Sequence, residues 1–235
     1  MKLKLFFLSL FFLALQFSAQ KNAISPIILS RAETKQLFSD EALKKFNIDY
    51  PIFRVYNYTD NTGNYYVVLT EKMDSIKPSK DTLHYKIKAF NFSNDEKGLV
   101  KKWELTDFVA KQTISGDMEN SIWFWTKYCE FQDIDNDGLV DPIIVYGTSG
   151  MNGYEDGRIK ILVYYKGRKN VIRHQNGTLD HERNTQVDET FYLLPETIQD
   201  QTKNIIQKMM DNSLAIFPYG WQEAMKKHKT KFQEK

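Results

Sequence analysis

The chain has 235 residues, 42% apolar, 26% charged and 14% aromatic, which excludes disordered, low-complexity and collagen-like chains and fits one globular domain or two small ones. Lys and Arg number 32 against 30 Asp and Glu, and two of those lysines, Lys2 and Lys4, fall in an N-terminal segment that has no acid. The remainder is balanced, so it carries no charge excess to hold a phosphate backbone, which argues against nucleic acid as a partner.

Met1 to Gln20 reads as a charged start, an apolar run from Leu5 to Leu15 and a small-residue exit at Ser18 and Ala19, the three-part layout of a secretory signal peptide. The run is short for a membrane span, and nothing later resembles one. The expected product is residues 21–235, exported to the periplasm or the outer surface, soluble after cleavage near Ala19 or Gln20. Cys129 lies far from the signal and has no partner cysteine, so neither a lipid anchor nor an internal disulfide is expected. Set in an aromatic run, it reads as a buried small side chain instead of a nucleophile.

Ser30-Arg-Ala-Glu33 has the spacing of a capping box, and the apolar residues after it predict short helical turns up to Asn47. Tyr50 to Tyr58 and Tyr65 to Thr70 flank the turn signal Asp60-Asn61-Thr62-Gly63, a hairpin. Leu83 to Phe92 alternates apolar with polar residues and turns through Asn94 to Gly98 into Leu99 to Leu105, continuing a meander. Ile122 to Phe131 is aromatic on both alternating faces and predicts one central strand. Pro142 to Tyr146 is a short apolar strand, and Arg158 to Tyr165 pairs across Lys166-Gly167-Arg168-Lys169 with Asn170 to His174. Beyond these the period changes: Pro195 to Asp211 and Trp221 to Phe232 read as helices. The expected fold is mainly β (α+β), a sandwich-like or meander antiparallel structure in a single domain with terminal helices.

One motif carries identifiable chemistry. Asp133-Ile-Asp135-Asn-Asp137-Gly138-Leu139-Val-Asp141 places carboxylates at positions one, three, five and nine of a tight loop, with the carbonyl of Leu139 at seven. A calcium ion takes six to eight oxygens, and the glycine gives the sharp turn that lets alternate carboxylates converge. Magnesium fits less well, because it favours a compact octahedron with several retained waters. An EF-hand would need a bidentate Glu where Ile144 stands, and both flanks read as strands, so the expectation is a β-loop-β calcium site with a structural role. The loop resembles the calcium loops of integrin-like propeller repeats: an aromatic strand ending at Phe131, D-x-D-x-D-G-x-x-D, and an apolar strand over Ile143 to Val145. It occurs once here, so a whole propeller is not expected.

After this strand comes the Gly-rich turn Tyr146 to Tyr154 and then the strand RIKILVYY. Calcium loop, apolar strand, Ser-Gly-Asn loop and tyrosine-bearing strand together resemble a group of small periplasmic β-proteins that includes lysozyme-inhibitor-like members. In such inhibitors a Ser-Gly-x-x-Tyr loop enters the lysozyme cleft. The resemblance implies a binding loop at Ser149, Gly150, Asn152 and Tyr154, the tyrosine falling one place late, and a muramidase as partner. The segments FWTKYCEFQDIDNDGLVDPIIVYGTSGMNGYEDGRIKI, IRHQNGTLDHERNTQVD and AIFPYGWQEAM look like an exported envelope family labelled surface polysaccharide biosynthesis protein. That resemblance implies an association with an envelope glycan and supplies no catalytic residues.

Other constellations are less specific. Arg173-His174 with Asp180-His181-Glu182 offers histidines and carboxylates, without the spacing of a known metal or acid-base motif, and reads as a solvated loop. Glu130, Glu155, Asp156 and Glu182 are eligible for paired-carboxylate glycoside chemistry, which depends on a distance that sequence does not show. Trp123, Trp125, Tyr146, Tyr154, Tyr219 and Trp221 are the aromatics to test for sugar binding. The functional expectation is a non-enzymatic, calcium-binding envelope protein whose calcium loop fixes the neighbouring Gly-Ser loop as a binding edge. A muramidase inhibitor is the alternative and a glycan-active enzyme the third reading.

Overall fold

The structure, a computed structural model, describes residues 24–76, 82–110 and 119–234; the signal-like segment lies outside these. No helix among the described residues is long and apolar enough to cross a membrane. Two antiparallel sheets face each other, and the helices cover their outer faces. The first sheet runs in the order β1 (Ile27–Ile28), β2 (Ile52–Asp60), β3 (Gly63–Ile76), β4 (Thr82–Asp95), β5 (Gly98–Phe108). The second runs β12 (Lys231–Gln233), β11 (Asn184–Val187), β10 (Arg168–Gln175), β9 (Arg158–Tyr165), β8 (Asp141–Ser149), β6 (Ser121–Phe124), with β7 (Glu130–Gln132) also paired to β8.

Alternation along each strand builds three apolar layers. Val67, Leu69, Ile87 and Ala89 of the first sheet meet Ile144, Tyr146, Leu162 and Tyr164 of the second in the central layer. The residues alternating with them point outward. Val68, Phe90 and Phe92 receive Phe38 and Phe46 from α1 (Arg31–Leu37) and α2 (Asp40–Phe46). Ile143, Val145, Ile161 and Val163 receive Ile198, Ile205, Ile206 and Met209 from α3 (Glu196–Asp211) and Trp221 and Met225 from α4 (Trp221–Lys226). Strand β8 is therefore apolar on both faces because it is covered on both.

The helix signals at the N-terminal end hold in detail. Ser30 accepts the Glu33 N–H at 3.2 Å while the Glu33 carboxylate accepts the Ser30 N–H at 2.7 Å, a reciprocal cap of about 1 kcal/mol. Asn47, with φ 58°, ends α2 in the left-handed conformation.

Two expectations change. Ile122 to Phe131 is not one central strand. It divides into β6, a 3-10 turn at Thr126–Tyr128 and β7, all along the outer edge of β8, which pairs with β9 on its other side. The break follows from the pairing: Trp125 N–H bonds to the Val145 carbonyl and the Cys129 sulfur accepts the Val145 N–H at 3.4 Å, so the excess residues bulge out between. The outer side of β6 is closed from the opposite sheet, where Glu71 of β3 accepts the Phe124 N–H at 3.0 Å. Burial lifts the Glu71 carboxyl above its usual range, against the lowering effect of that bond. The last helix is also shorter than expected. It ends at Lys226, His228 takes a positive φ of 52°, and residues 231–233 leave as β12 to pair with β11.

Candidate metal centre

The acidic loop connects β7 to β8 at one end of the sandwich. Each carboxylate first organises the backbone. Asp133 Oδ2 accepts the Gly138 N–H at 2.8 Å, Asp135 Oδ1 that of Asp137 at 3.2 Å, Asp137 Oδ1 that of Leu139 at 2.9 Å, and Asp141 Oδ2 that of Ile134 at 3.0 Å. Asn136 and Gly138 take φ of 62° and 90°, the left-handed turns that fold alternate side chains inward. The result is a convergence: Asp133, Asp135 and Asp141 each bring a carboxylate oxygen to within 4.8 Å of the others.

Asp137 is arranged differently, with Oδ2 3.0 Å from the Lys166 ammonium. Leu139 lies half-buried beside it. Burial, together with the charges of Asp135, Asp137 and Asp133, pushes the Asp141 carboxyl up to about 7, even though the Ile134 N–H bond opposes the shift. A buried carboxyl held among like charges is the electrostatic condition that a bound cation relieves. The donors are all oxygen, as a hard divalent ion requires. The residues present fit such an ion.

Two hairpin turns dock on this loop. From the first sheet, the Asn61 N–H donates to the Gly138 carbonyl at 3.0 Å, and Asp60 Oδ2 accepts the Val140 N–H at 3.2 Å. Asp60 closes its own turn as well, accepting the Thr62 N–H at 2.8 Å. From the second sheet, the Tyr165 hydroxyl donates to Asp135 Oδ2 at 3.2 Å, and Lys166 reaches Asp137. The acidic loop thus joins the two sheets. The sequence marked Asp60 to Gly63 and Lys166 to Lys169 as turns, of which Arg168 and Lys169 already belong to β10, and gave no sign that both would land on the loop.

The Gly-Ser loop is elsewhere. Asp141 begins β8 and Ser149 ends it, so eight residues at about 3.3 Å each set the two loops about 26 Å apart along the strand. The expectation that the acidic loop braces a neighbouring Gly-Ser edge is therefore corrected: the two lie at opposite ends of one strand. Residues 150–157 form a tight turn in which Gly150 bridges Gly153 and the Asn152 N–H donates to the buried Asp156 at 2.8 Å. A side chain at Gly150 would fall 2.2 Å from Asp156 Oδ1. Tyr154 is 40% exposed and lays its ring edgewise on Trp123 and Trp125, with centroids 5.7 and 5.9 Å away.

A cluster that the sequence did not flag occupies this second end. Arg158 binds Glu119 at 2.6 Å and Asp107 at 3.2 Å, and also donates to the Phe108 carbonyl. Lys160 and the Tyr146 hydroxyl bond to Asp107 at 2.7 and 2.8 Å. Burial would raise the Asp107 carboxyl, but the Arg158 and Lys160 charges prevail and hold it below the usual carboxylate range. These residues come from β5, β8, β9 and the segment before β6, with no local pattern to reveal them.

The remaining candidates separate. His174 is no part of a solvated loop: it is buried, stacked on Phe217 at 3.9 Å and hydrogen-bonded to Thr185 and Asn176 at 2.9 Å each. Burial drives its pKa down to about 4. His181 is exposed. Glu130 accepts Gln201 from α3, and Glu182 accepts the Leu179 N–H. Cys129 keeps some surface, but its sulfur is enclosed, and burial pushes the thiol up to about 12, far from a reactive thiolate. Trp125, Tyr146 and Trp221 are buried, and Tyr219 is exposed.

No protein-family model matches the chain, nor does any curated protein or solved structure.

Proposed function

We propose that the protein is an exported, calcium-stabilised envelope protein that works by binding, in association with a surface polysaccharide. The observation that carries the reading is the convergence of Asp133, Asp135 and Asp141 at the point where both sheets dock. An ion held there would tie the loop between the β2–β3 and β9–β10 turns, a role in stability instead of turnover. Calcium is preferred over magnesium because the loop offers many protein oxygens and a glycine turn. Export is supported by the signal-like layout of Met1 to Gln20, and the glycan association by the resemblance of segments within Phe124 to Asp188, and of Ala215 to Met225, to an exported envelope family.

The test is thermal melting with calcium and with chelator. A ligand bound by the folded state alone raises the midpoint by mass action. Calcium should raise it in the parent and leave a doubly substituted Asp133→Asn, Asp135→Asn variant unmoved; an equal midpoint in both conditions for the parent overturns the reading. A second reading, inhibition of a muramidase, draws support from the 73% exposure of Met151 and 40% of Tyr154 at the Gly-Ser turn. Full activity of a lysozyme panel at excess protein removes it.

A further inference from the structure

We propose that the cleft beside the acidic loop binds one hexopyranose unit of a glycan. It opens between the sheets, bounded by the β2–β3 turn, the middle of β5 and the β9–β10 turn, and encloses about 220 Å³, the scale of a single sugar ring.

Its walls are aromatic. Trp103 of β5 stacks on Tyr164 of β9 across the two sheets, with centroids 4.2 Å apart and planes within 10°. Tyr65 of β3 stacks on Tyr58 of β2 at 5.3 Å. Trp103 and Tyr65 stay only partly buried, so each keeps surface for a ligand. The C–H groups on a pyranose face carry slight positive charge and are drawn to the negative face of such rings.

Two buried polar groups line the same cleft. Asn91 is 3% exposed and Tyr58 6%. Asn91 Nδ2 reaches the Tyr58 hydroxyl oxygen at 3.4 Å and the Tyr66 carbonyl at 3.5 Å, both at the outer limit of a hydrogen bond. Neither contact uses Asn91 Oδ1 or the Tyr58 hydroxyl proton, so both keep hydrogen-bonding capacity at the cleft. Neighbouring sugar hydroxyls each donate and accept, so one ring can give a proton to the amide oxygen and take one from the phenol. A flat hydrocarbon ring such as toluene would match the walls and leave this pair unanswered; a sugar satisfies both.

Leu139 and Val140 of the acidic loop form part of the cleft, so the inference deepens the glycan reading above and rests on the cation only for the firmness of that side. The experiment is ligand-observed and protein-observed NMR on the full folded protein, with calcium and again with chelator. The probes are the methyl glycosides of glucose, galactose, mannose, N-acetylglucosamine and glucuronic acid, with benzene and toluene as aromatic controls. At least one glycoside should bind and shift the Trp103 indole N–H signal, assigned by its loss in Trp103→Phe. Trp103→Ala should weaken binding more than Trp103→Phe does. Three results overturn the proposal: no glycoside binding up to its solubility, glycoside binding that leaves the Trp103 signal still, or binding of the aromatic controls alone. If a glycoside binds while calcium leaves the melting midpoint unchanged, the cation reading falls and this one stands; calcium stabilisation without any glycoside binding does the reverse.

Discussion

The two ends of the sandwich solve one problem in opposite ways. Each must join two sheets that have no backbone ladder between them, and each uses carboxylates. At the Ser149 end, Asp107 and Glu119 are matched by Arg158 and Lys160 from the chain itself. At the Asp141 end, three carboxylates gather on one another, and the nearby Lys166 is given to Asp137. The electrostatics follow: Asp107 is held below its ordinary range, whereas Asp141 is pushed up to about 7. A self-neutralised cluster is complete as folded. A cluster of like charges is the condition that an added cation would relieve.

The largest expected effect separates the ends by mutation. Arg158→Ala strands the buried Glu119 and leaves Asp107 with Lys160 and Tyr146 alone, and should cost about 3–5 kcal/mol in chemical denaturation, as breaking a buried ion pair does. Replacing the group together, Arg158→Met with Asp107→Asn and Glu119→Gln, should cost markedly less. If the single and triple variants lose equal stability, the cluster is packing and not charge matching.

Acid should act on the ends with opposite signs. His174, near the Ser149 end, is folded neutral with a pKa of about 4 against about 6.5 when unfolded. Its contribution is fully present above pH 6.5 and is lost as pH falls from there toward 4, at most about 3 kcal/mol. His174→Gln should flatten that slope. In chelator, Asp141 has the reverse sign: its folded pKa lies above the unfolded value, so the penalty it imposes disappears as pH falls from 7 toward 4. Hydrogen exchange resolved by segment should show residues 133–141 gaining protection over the same window in which residues 174–176 lose it.

Calcium at a hundred times its dissociation constant should add about 2.7 kcal/mol by mass action, with protection appearing first in the acidic loop and in the turns at Asn61 and Lys166. The smallest effect sharpens the contrast most. In chelator, Asp141→Asn should leave stability unchanged or raise it by about 1 kcal/mol or less, since it relieves like-charge repulsion and keeps an acceptor for the Ile134 N–H. A loss of several kcal/mol would show that the cluster is already neutralised from within.

The local parts of the molecule were legible. The capping box at Ser30, the turns at Asp60 and Lys166, the amphipathic stripe of α3 and the alternating aspartates all write their geometry within about ten residues. What was not legible depends on distant partners. Ile122 to Phe131 has the composition of one strand, and it breaks because its two halves pair with different stretches of the same β8 edge. Lys231 and Phe232 fall in the helical pattern that starts at Trp221 and become a strand because β11 offers them a free edge. The Gly-Ser turn follows the acidic loop closely in sequence, yet a straight strand lies between, and extended chain turns eight residues into the length of the domain. Arg158 finds Asp107 across 51 positions, a separation that no motif spans.

The Glu71 carboxylate on the Phe124 amide has a consequence for crowding. The outer flank of β6 is where a foreign strand would otherwise add to the sheet, and an incoming chain would have to evict a buried acid from the opposite layer to reach that amide. The flank is sealed by a side chain, so the protein can be concentrated without this margin acting as a template for aggregation.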